Sequence, residues 1–221
     1  MNVVKPGYFG YDYTDAKRDQ FDQRNEYLLA NNTQVDILFY GDSITEAFLI
    51  TAYEYLGTVV NSGIGGDRTV YMRKRFEADA LQLNPNKVIL LGGINDVQAW
   101  LRGEEYVGYD ADGIVAEVTA NIIEMADMVL GAGNQVLVAS VLPIKRPPEK
   151  LIDNELAAVI IRRINSVLRD YTEVSGADFV DYYSAFVDRP SGMLIESYAS
   201  DGLHPNETGY KIMIDILNKH I

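Results

Sequence analysis

No cysteine occurs among the 221 residues. That excludes a disulfide scaffold, a thiol nucleophile and a cysteine-bound zinc site. Histidine is almost as scarce, with two copies, His204 and His220. So few imidazoles among dispersed carboxylates make no recognisable metal-ligand set, and neither metal nor cofactor is expected. Positive charge is also in short supply: 19 Lys and Arg stand against 32 Asp and Glu, a formal net charge of −13. Arg73-Lys74-Arg75 and Arg162-Arg163 are too short to form a basic stripe, so nucleic acid and an anionic membrane surface are not expected partners. No apolar run approaches the roughly 20 residues that span a bilayer. The N-terminus lacks a basic start followed by an apolar core, so no leader is read there. The expectation is a cytoplasmic protein, with a processed secreted form left open. Repeats, low-complexity stretches and linkers are absent too. Pro147-Pro148-Glu149-Lys150 comes nearest to a break and reads as a loop ahead of a helix. The chain is therefore read as one domain over 1–221.

What is there is an alternation. Five short apolar, β-rich segments recur at 35–40, 58–61, 87–91, 135–140 and 177–181. Helical patterns lie between them. Thr14 or Asp15 is placed to cap a helix running to about Ala30. Val115, Val118, Ile122, Met125, Ala126 and Val129 share one helical face, with Gly131 or Gly133 as its stop. Ile160, Ile164, Val167, Leu168 and Tyr171 form a second stripe, and Tyr210, Met213, Ile214 and Leu217 a third. Strands alternating with helices imply parallel pairing through right-handed crossovers. Near-continuous apolar strands imply a sheet covered on both faces. Ahead of all this, residues 1–14 are an aromatic arm (Tyr8, Phe9, Tyr11, Tyr13) that reads as irregular packing, a lid or a subunit contact.

Polar clusters follow the strands, at the carboxyl edge where sites in such sheets gather. Gly41-Asp42-Ser43 closes the first strand and Ile44-Thr45-Glu46 opens a helix. A serine at that turn projects its hydroxyl beside backbone N–H groups and a positive helix end, a good place for a nucleophile. If Ser43 needs a base, His204 is almost the only choice, because His220 is the penultimate residue. Asp201 precedes His204 by three residues, close enough to fold back onto Nδ1 and fix the tautomer. After the second strand, Gly63, Gly65 and Gly66 read either as a plain turn or as a loop presenting bare N–H groups to an oxyanion. After the third, Asn95 reads either as a helix cap or as an amide donor to developing negative charge. Acyl transfer needs one of each: an activated oxygen, a held base, and preplaced oxyanion donors worth about 10²–10³ in rate apiece.

The four motifs, Ile37-Leu38-Phe39-Tyr40-Gly41-Asp42-Ser43-Ile44, Asn61-Ser62-Gly63-Ile64-Gly65-Gly66-Asp67-Arg68-Thr69, Leu91-Gly92-Gly93-Ile94-Asn95-Asp96 and Ser200-Asp201-Gly202-Leu203-His204-Pro205, resemble the SGNH (GDSL-type) hydrolases in identity, order and spacing. The resemblance covers roughly residues 24–210. Arg24-Asn25-Glu26-Tyr27-Leu28-Leu29 and the Gly-Gly-Asp-Arg-Thr form are similar to the branch of platelet-activating-factor acetylhydrolase α-subunits and bacterial carbohydrate acetylesterases. The first motif has Ile44 where the family name has Leu. Serine in a G-x-S-x-G elbow is missing, which separates the chain from α/β-hydrolases.

The resemblance implies a three-layer α/β/α fold with a five-stranded parallel sheet in flavodoxin-like order. It implies Ser43 as nucleophile, His204 as base and Asp201 as its orienter. It implies an oxyanion hole of the Ser43 and Gly66 N–H groups with the Asn95 amide. Asp42, Arg68, Trp100 and Tyr198 are additional candidates for substrate contact, each with an ordinary structural alternative. The expected partner is a small-molecule acyl ester, foremost an acetylated carbohydrate; oligomeric state is left open. The competing readings are a lysophospholipase or thioesterase with a longer acyl pocket, and a flavodoxin-like or glycan-binding module with no activity.

Overall fold

The computed structural model describes residues 3–10 and 12–221, apart from the side chain of Asp12. Of the aromatic arm, residues 1 and 2 and Tyr11 lie outside the described residues. Five strands, β1 (Ile37–Gly41), β2 (Val59–Gly63), β3 (Lys87–Leu91), β4 (Gln135–Ala139) and β5 (Asp178–Val180), match the apolar segments to within two residues. They form one parallel sheet in the order β2-β1-β3-β4-β5. This is the expected three-layer α/β/α fold in flavodoxin-like order. The order reverses at β1, which opens a crevice at the carboxyl ends of β1 and β3.

Side chains alternate across the central strand and meet different layers. Phe39 stacks on Phe48 at 4.9 Å between ring centroids and lies beside Tyr53. Tyr40, on the other face, meets Phe76 edge-on at 4.9 Å and donates its hydroxyl to Met72 O at 2.6 Å. Every residue of β1 is buried, as a strand covered on both sides requires. The Tyr40 face is covered by α1 (Asp12–Ala30), α3 (Thr69–Asp79), α5 (Ala111–Gly131) and α6 (Asn154–Ser175), packed side by side. The Phe39 face is covered by the 3₁₀ turn Ile50–Leu56 and by α8 (Glu207–Leu217), whose Tyr210 donates to Ile44 O at 3.0 Å. Short α2 (Ser43–Glu46), α4 (Ile94–Leu101) and α7 (Tyr183–Phe186) complete the helices of the described residues. A small antiparallel ribbon, β6 (Val187–Asp188) with β7 (Met193–Leu194), leads toward the Asp201 loop.

The long helices start where side chains can satisfy orphan N–H groups. Asp110, Asp153 and Asn206 cap α5, α6 and α8. The first helix begins earlier than Thr14 or Asp15, at Asp12. Asp15 instead reaches back to accept from Phe9 N (2.7 Å) and Gly10 N (3.0 Å), tying the arm to α1. On α6 the buried stripe runs through Ile160, Ile161, Ile164 and Leu168, while Val167 is exposed. No helix among the described residues is long and apolar enough to cross a membrane.

Candidate active site

Strand register brings the motifs together. Gly41 pairs with Gly63 on one side and Leu91 on the other, so the three loops that follow leave the sheet at one level. Ser43 is the first residue of α2. Asp42 caps that short helix, its Oδ1 accepting from Ile44 N at 2.9 Å. The fourth loop arrives from the far end of the chain. Gly202 has φ +77°, and a Cβ there would sit 1.9 Å from Lys145 O, so only glycine lets this loop close onto the segment after β4.

Ser43 Oγ lies 2.9 Å from His204 Nε2, and His204 Nδ1 lies 3.1 Å from Asp201 Oδ2. With the Nδ1 proton directed at the carboxylate, Nε2 is the acceptor for the serine hydroxyl. Both carboxylate oxygens of Asp201 are themselves held. Its Oδ1 accepts from His204 N (2.8 Å) and Leu203 N (3.1 Å), and its Oδ2 accepts from Arg146 Nη1 (2.9 Å). Arg146 also donates to Asp201 O at 2.8 Å. Burial opposes the Asp201 charge, but the His204 N–H, the Arg146 guanidinium and the imidazole together hold its pKa well below the usual carboxylate range. The carboxylate is thus anionic at neutral pH.

The other two loops are joined to each other. Gly66 has φ +79°, a left-handed position within the turn closed by Asp67 N donating to Ile64 O at 3.2 Å. Asn95 does not cap α4, whose N-cap is Gly93. One of its amide N–H groups donates instead to Asp67 O at 2.9 Å, beside Gly66. Glu46 takes Gly65 N at 2.7 Å and fixes the same turn from below.

The four additional candidates fare differently. Asp42 is fully buried and has no surface for a substrate to touch; it shapes the turn. Burial pushes its pKa up to about 7, with Asp67 and Asp96 adding to the rise and the Ile44 N–H opposing it. Trp100 donates its indole N–H to Tyr109 O at 2.9 Å and packs against the core. Tyr198 packs edge-on against Phe186 at 5.8 Å. Arg68 pairs with Glu105 at 2.7 Å, lies over the Tyr71 ring and lines a cleft with Gly66.

Two residues that matter here belong to none of the sequence motifs. Arg146 follows β4 in a stretch that reads as a mere loop, 55 positions from the aspartate it holds. Arg75 sits in a short basic run on α3, yet it is fully buried. It donates to Asp67 Oδ2 (2.7 Å), Ser62 O (2.9 Å) and Gly41 O (3.0 Å). The one available clue for Arg146 is its place just beyond a strand's carboxyl end.

Hydroxyl, imidazole and carboxylate in series, delivered by the carboxyl edge of a parallel sheet, are what a serine hydrolase uses to open an acyl bond. The chain belongs to the GDSL-like lipase/acylhydrolase family, whose model matches residues 39–212. It is a carboxylic ester hydrolase of that family. No curated protein sequence matches it. Among solved structures it is similar to a proposed acylhydrolase from Bacteroides fragilis (24% identity, 95% of this chain and 97% of that one, TM-score 0.78). A GDSL-like lipase from Bacteroides thetaiotaomicron superposes with TM-score 0.72 at 26% identity, over 90% of this chain and 97% of that one. A catalytic mutant of Axe2, an acetylxylan esterase from Geobacillus stearothermophilus, does so with TM-score 0.65 at 20% identity, over 84% and 93%.

Proposed function

We propose that the protein removes short acyl groups, foremost acetyl from a carbohydrate, through an acyl-enzyme on Ser43. The observation that carries the chemistry is the unbroken line from Ser43 Oγ to His204 Nε2 (2.9 Å) and from His204 Nδ1 to Asp201 Oδ2 (3.1 Å). His204 takes the Ser43 proton as Oγ attacks the ester carbonyl. The oxyanion forms against the Ser43 and Gly66 N–H groups and the Asn95 amide, whose placement the Asp67 carbonyl supports. The tetrahedral adduct collapses, and the alcohol leaves with the proton from His204. Water, deprotonated by the same imidazole, attacks the acyl-serine and releases the acid. Asp201 keeps the imidazole in the productive tautomer and balances its charge, and Arg146 keeps Asp201 ionised and in place. The carbohydrate part of the reading draws support from the acetylxylan esterase among the structural neighbours.

The test is hydrolysis of p-nitrophenyl acetate, butyrate and octanoate by the wild type and by Ser43→Ala. The acetate is expected to be turned over best, with kcat/KM at least about 10³-fold lower in the variant. Equal rates in the two proteins would remove Ser43 from the mechanism. A preference for octanoate would replace the short-acyl reading with a lipid or thioester one.

A further inference from the structure

A cleft of about 300 Å³ opens beside the Gly66 turn, lined by Tyr13, Thr14, Gly65, Gly66, Arg68 and Tyr71. That volume is at the lower end for small-ligand sites, about 300–1,000 Å³. Tyr13 stands in the first turn of α1, far in sequence from every motif, yet its ring is one glycine away from Ser43. A Cβ built on Gly65 would lie 3.4 Å from Tyr13 Cε1 and 3.8 Å from Ser43 Cβ. Tyr13 is half-exposed, at 52% of its maximum, and lines the cleft, with Lys17 Nζ 5.8 Å from the ring centroid. It is also aimed. The Tyr13 hydroxyl donates to Glu46 Oε1, which also pairs with Lys17 at 2.7 Å, while Glu46 Oε2 accepts from Gly65 N at 2.7 Å. One carboxylate therefore fixes both the aromatic ring and the turn that carries Gly66.

Resting on the carbohydrate-ester reading above, we propose that this cleft is the subsite for a sugar ring of the substrate, with Tyr13 as its aromatic platform. An acetyl group has two carbons and cannot fill such a space. A pyranose can: its C–H face lies on an aromatic ring, and its rim of hydroxyls needs polar partners. Around that ring the cleft is lined by the Arg68 side chain and by the Gly65-Gly66 turn, whose N–H groups are engaged by Glu46 (Gly65) and assigned to the oxyanion (Gly66). An alkyl chain in the same place would strip water from Arg68 and from exposed backbone without giving hydrogen bonds in return. The start of α1 thus acts as a specificity-determining element, and Tyr13 as a residue that binds the part of the substrate remote from the bond broken.

The experiment compares kcat/KM for fully acetylated xylobiose with that for p-nitrophenyl acetate, in the wild type, Tyr13→Ala and Tyr13→Phe. The ratio of sugar ester to aryl ester is expected to fall about tenfold in Tyr13→Ala, mainly through KM, and to stay within about threefold in Tyr13→Phe, which keeps the ring. A ratio unchanged in Tyr13→Ala overturns the subsite while leaving the carbohydrate-ester reading intact. So does an equal fall in Tyr13→Phe, which would assign the effect to the hydroxyl's hold on Glu46. A selective loss of p-nitrophenyl octanoate turnover in Tyr13→Ala would make the cleft an acyl pocket. A wild type that hydrolyses p-nitrophenyl acetate but no acetylated xylobiose would overturn the carbohydrate reading itself, and the subsite with it.

Discussion

Asp42 is the residue whose chemistry is most at odds with its surroundings. It stands next to Ser43, fully buried, with Oδ1 on Ile44 N and no hydrogen-bond partner for Oδ2 among the described residues. Its folded-state pKa is raised to about 7, chiefly by burial. The ordinary aspartate value in an unfolded chain is about 3.9. Between those two values the folded protein holds a proton that the unfolded chain has lost. Stability from this group is therefore greatest at low pH and disappears as pH rises through 7. Asp42→Asn keeps the acceptor for Ile44 N and removes the titration. Urea unfolding at about pH 6 and about pH 8.5 should show the wild type losing about 1 kcal/mol relative to the variant over that interval. A constant difference between the two proteins would mean that Asp42 stays ionised throughout.

Among the elements, α3 has an N-terminus capped from outside. Its own N-cap, Arg68, makes no side-chain cap bond. Asp96, on α4, accepts from Thr69 N at 3.0 Å and from Thr69 Oγ1 at 2.7 Å instead. Tyr106 completes the set by donating its hydroxyl to Asp96 Oδ1 at 2.6 Å from a left-handed backbone position, φ +60°. This bond tethers the loop between α4 and α5. Burial raises the Asp96 pKa to about 6, against the opposing bonds from Tyr106 and Thr69. Tyr106→Phe should thus cost about 2 kcal/mol at about pH 8, where the carboxylate is charged, and less at about pH 5, where it is protonated. Urea unfolding at both values checks this; a deficit independent of pH would locate the effect in packing and not in the bond. The same elements show what a sequence can disclose. Strands announce themselves locally, as runs such as Val88-Ile89-Leu90-Leu91, and Ser43, Gly66, Asn95, Asp201 and His204 sit in motifs a few residues long. Tyr13, Glu46, Arg75 and Arg146 act on partners that the crossovers bring near, and no local pattern records that. Val167 leaves its stripe for a related reason: helical spacing gives the stripe, but its edge depends on which neighbour covers it.

At the scale of the whole molecule, the surplus of negative charge conceals an ordered interior of alternating sign. Asp22 pairs with Arg18, Arg18 with Asp79, Asp79 with Arg75, and Arg75 with Asp67. The chain runs from α1 across the end of α3 to the Gly66 turn. Arg75 is its centre, with its guanidinium also over the Tyr40 ring and on the carbonyls of Gly41 and Ser62. Those carbonyls belong to β1 and β2 just before the Ser43 and Gly66 loops, so Arg75, through Asp79 and Arg18, links α1 to the strand ends that carry Ser43 and Gly66. Burial opposes the Arg75 charge, but Tyr40 and the carboxylates of Asp67 and Asp79 together hold its pKa above the usual arginine value. A buried ion set gains little over well-packed apolar groups, yet removing one member leaves the others uncompensated. Arg75→Met should therefore cost about 3–5 kcal/mol in urea unfolding. Adding Asp67→Leu removes the carboxylate that loses its ion pair, while Asp79 retains Arg18. The double variant should then be more stable than the sum of the single effects by at least about 1 kcal/mol. Strict additivity would mean that Arg75 serves the strand-end carbonyls alone, and that the link from α1 to the Gly66 turn does not pass through Asp67.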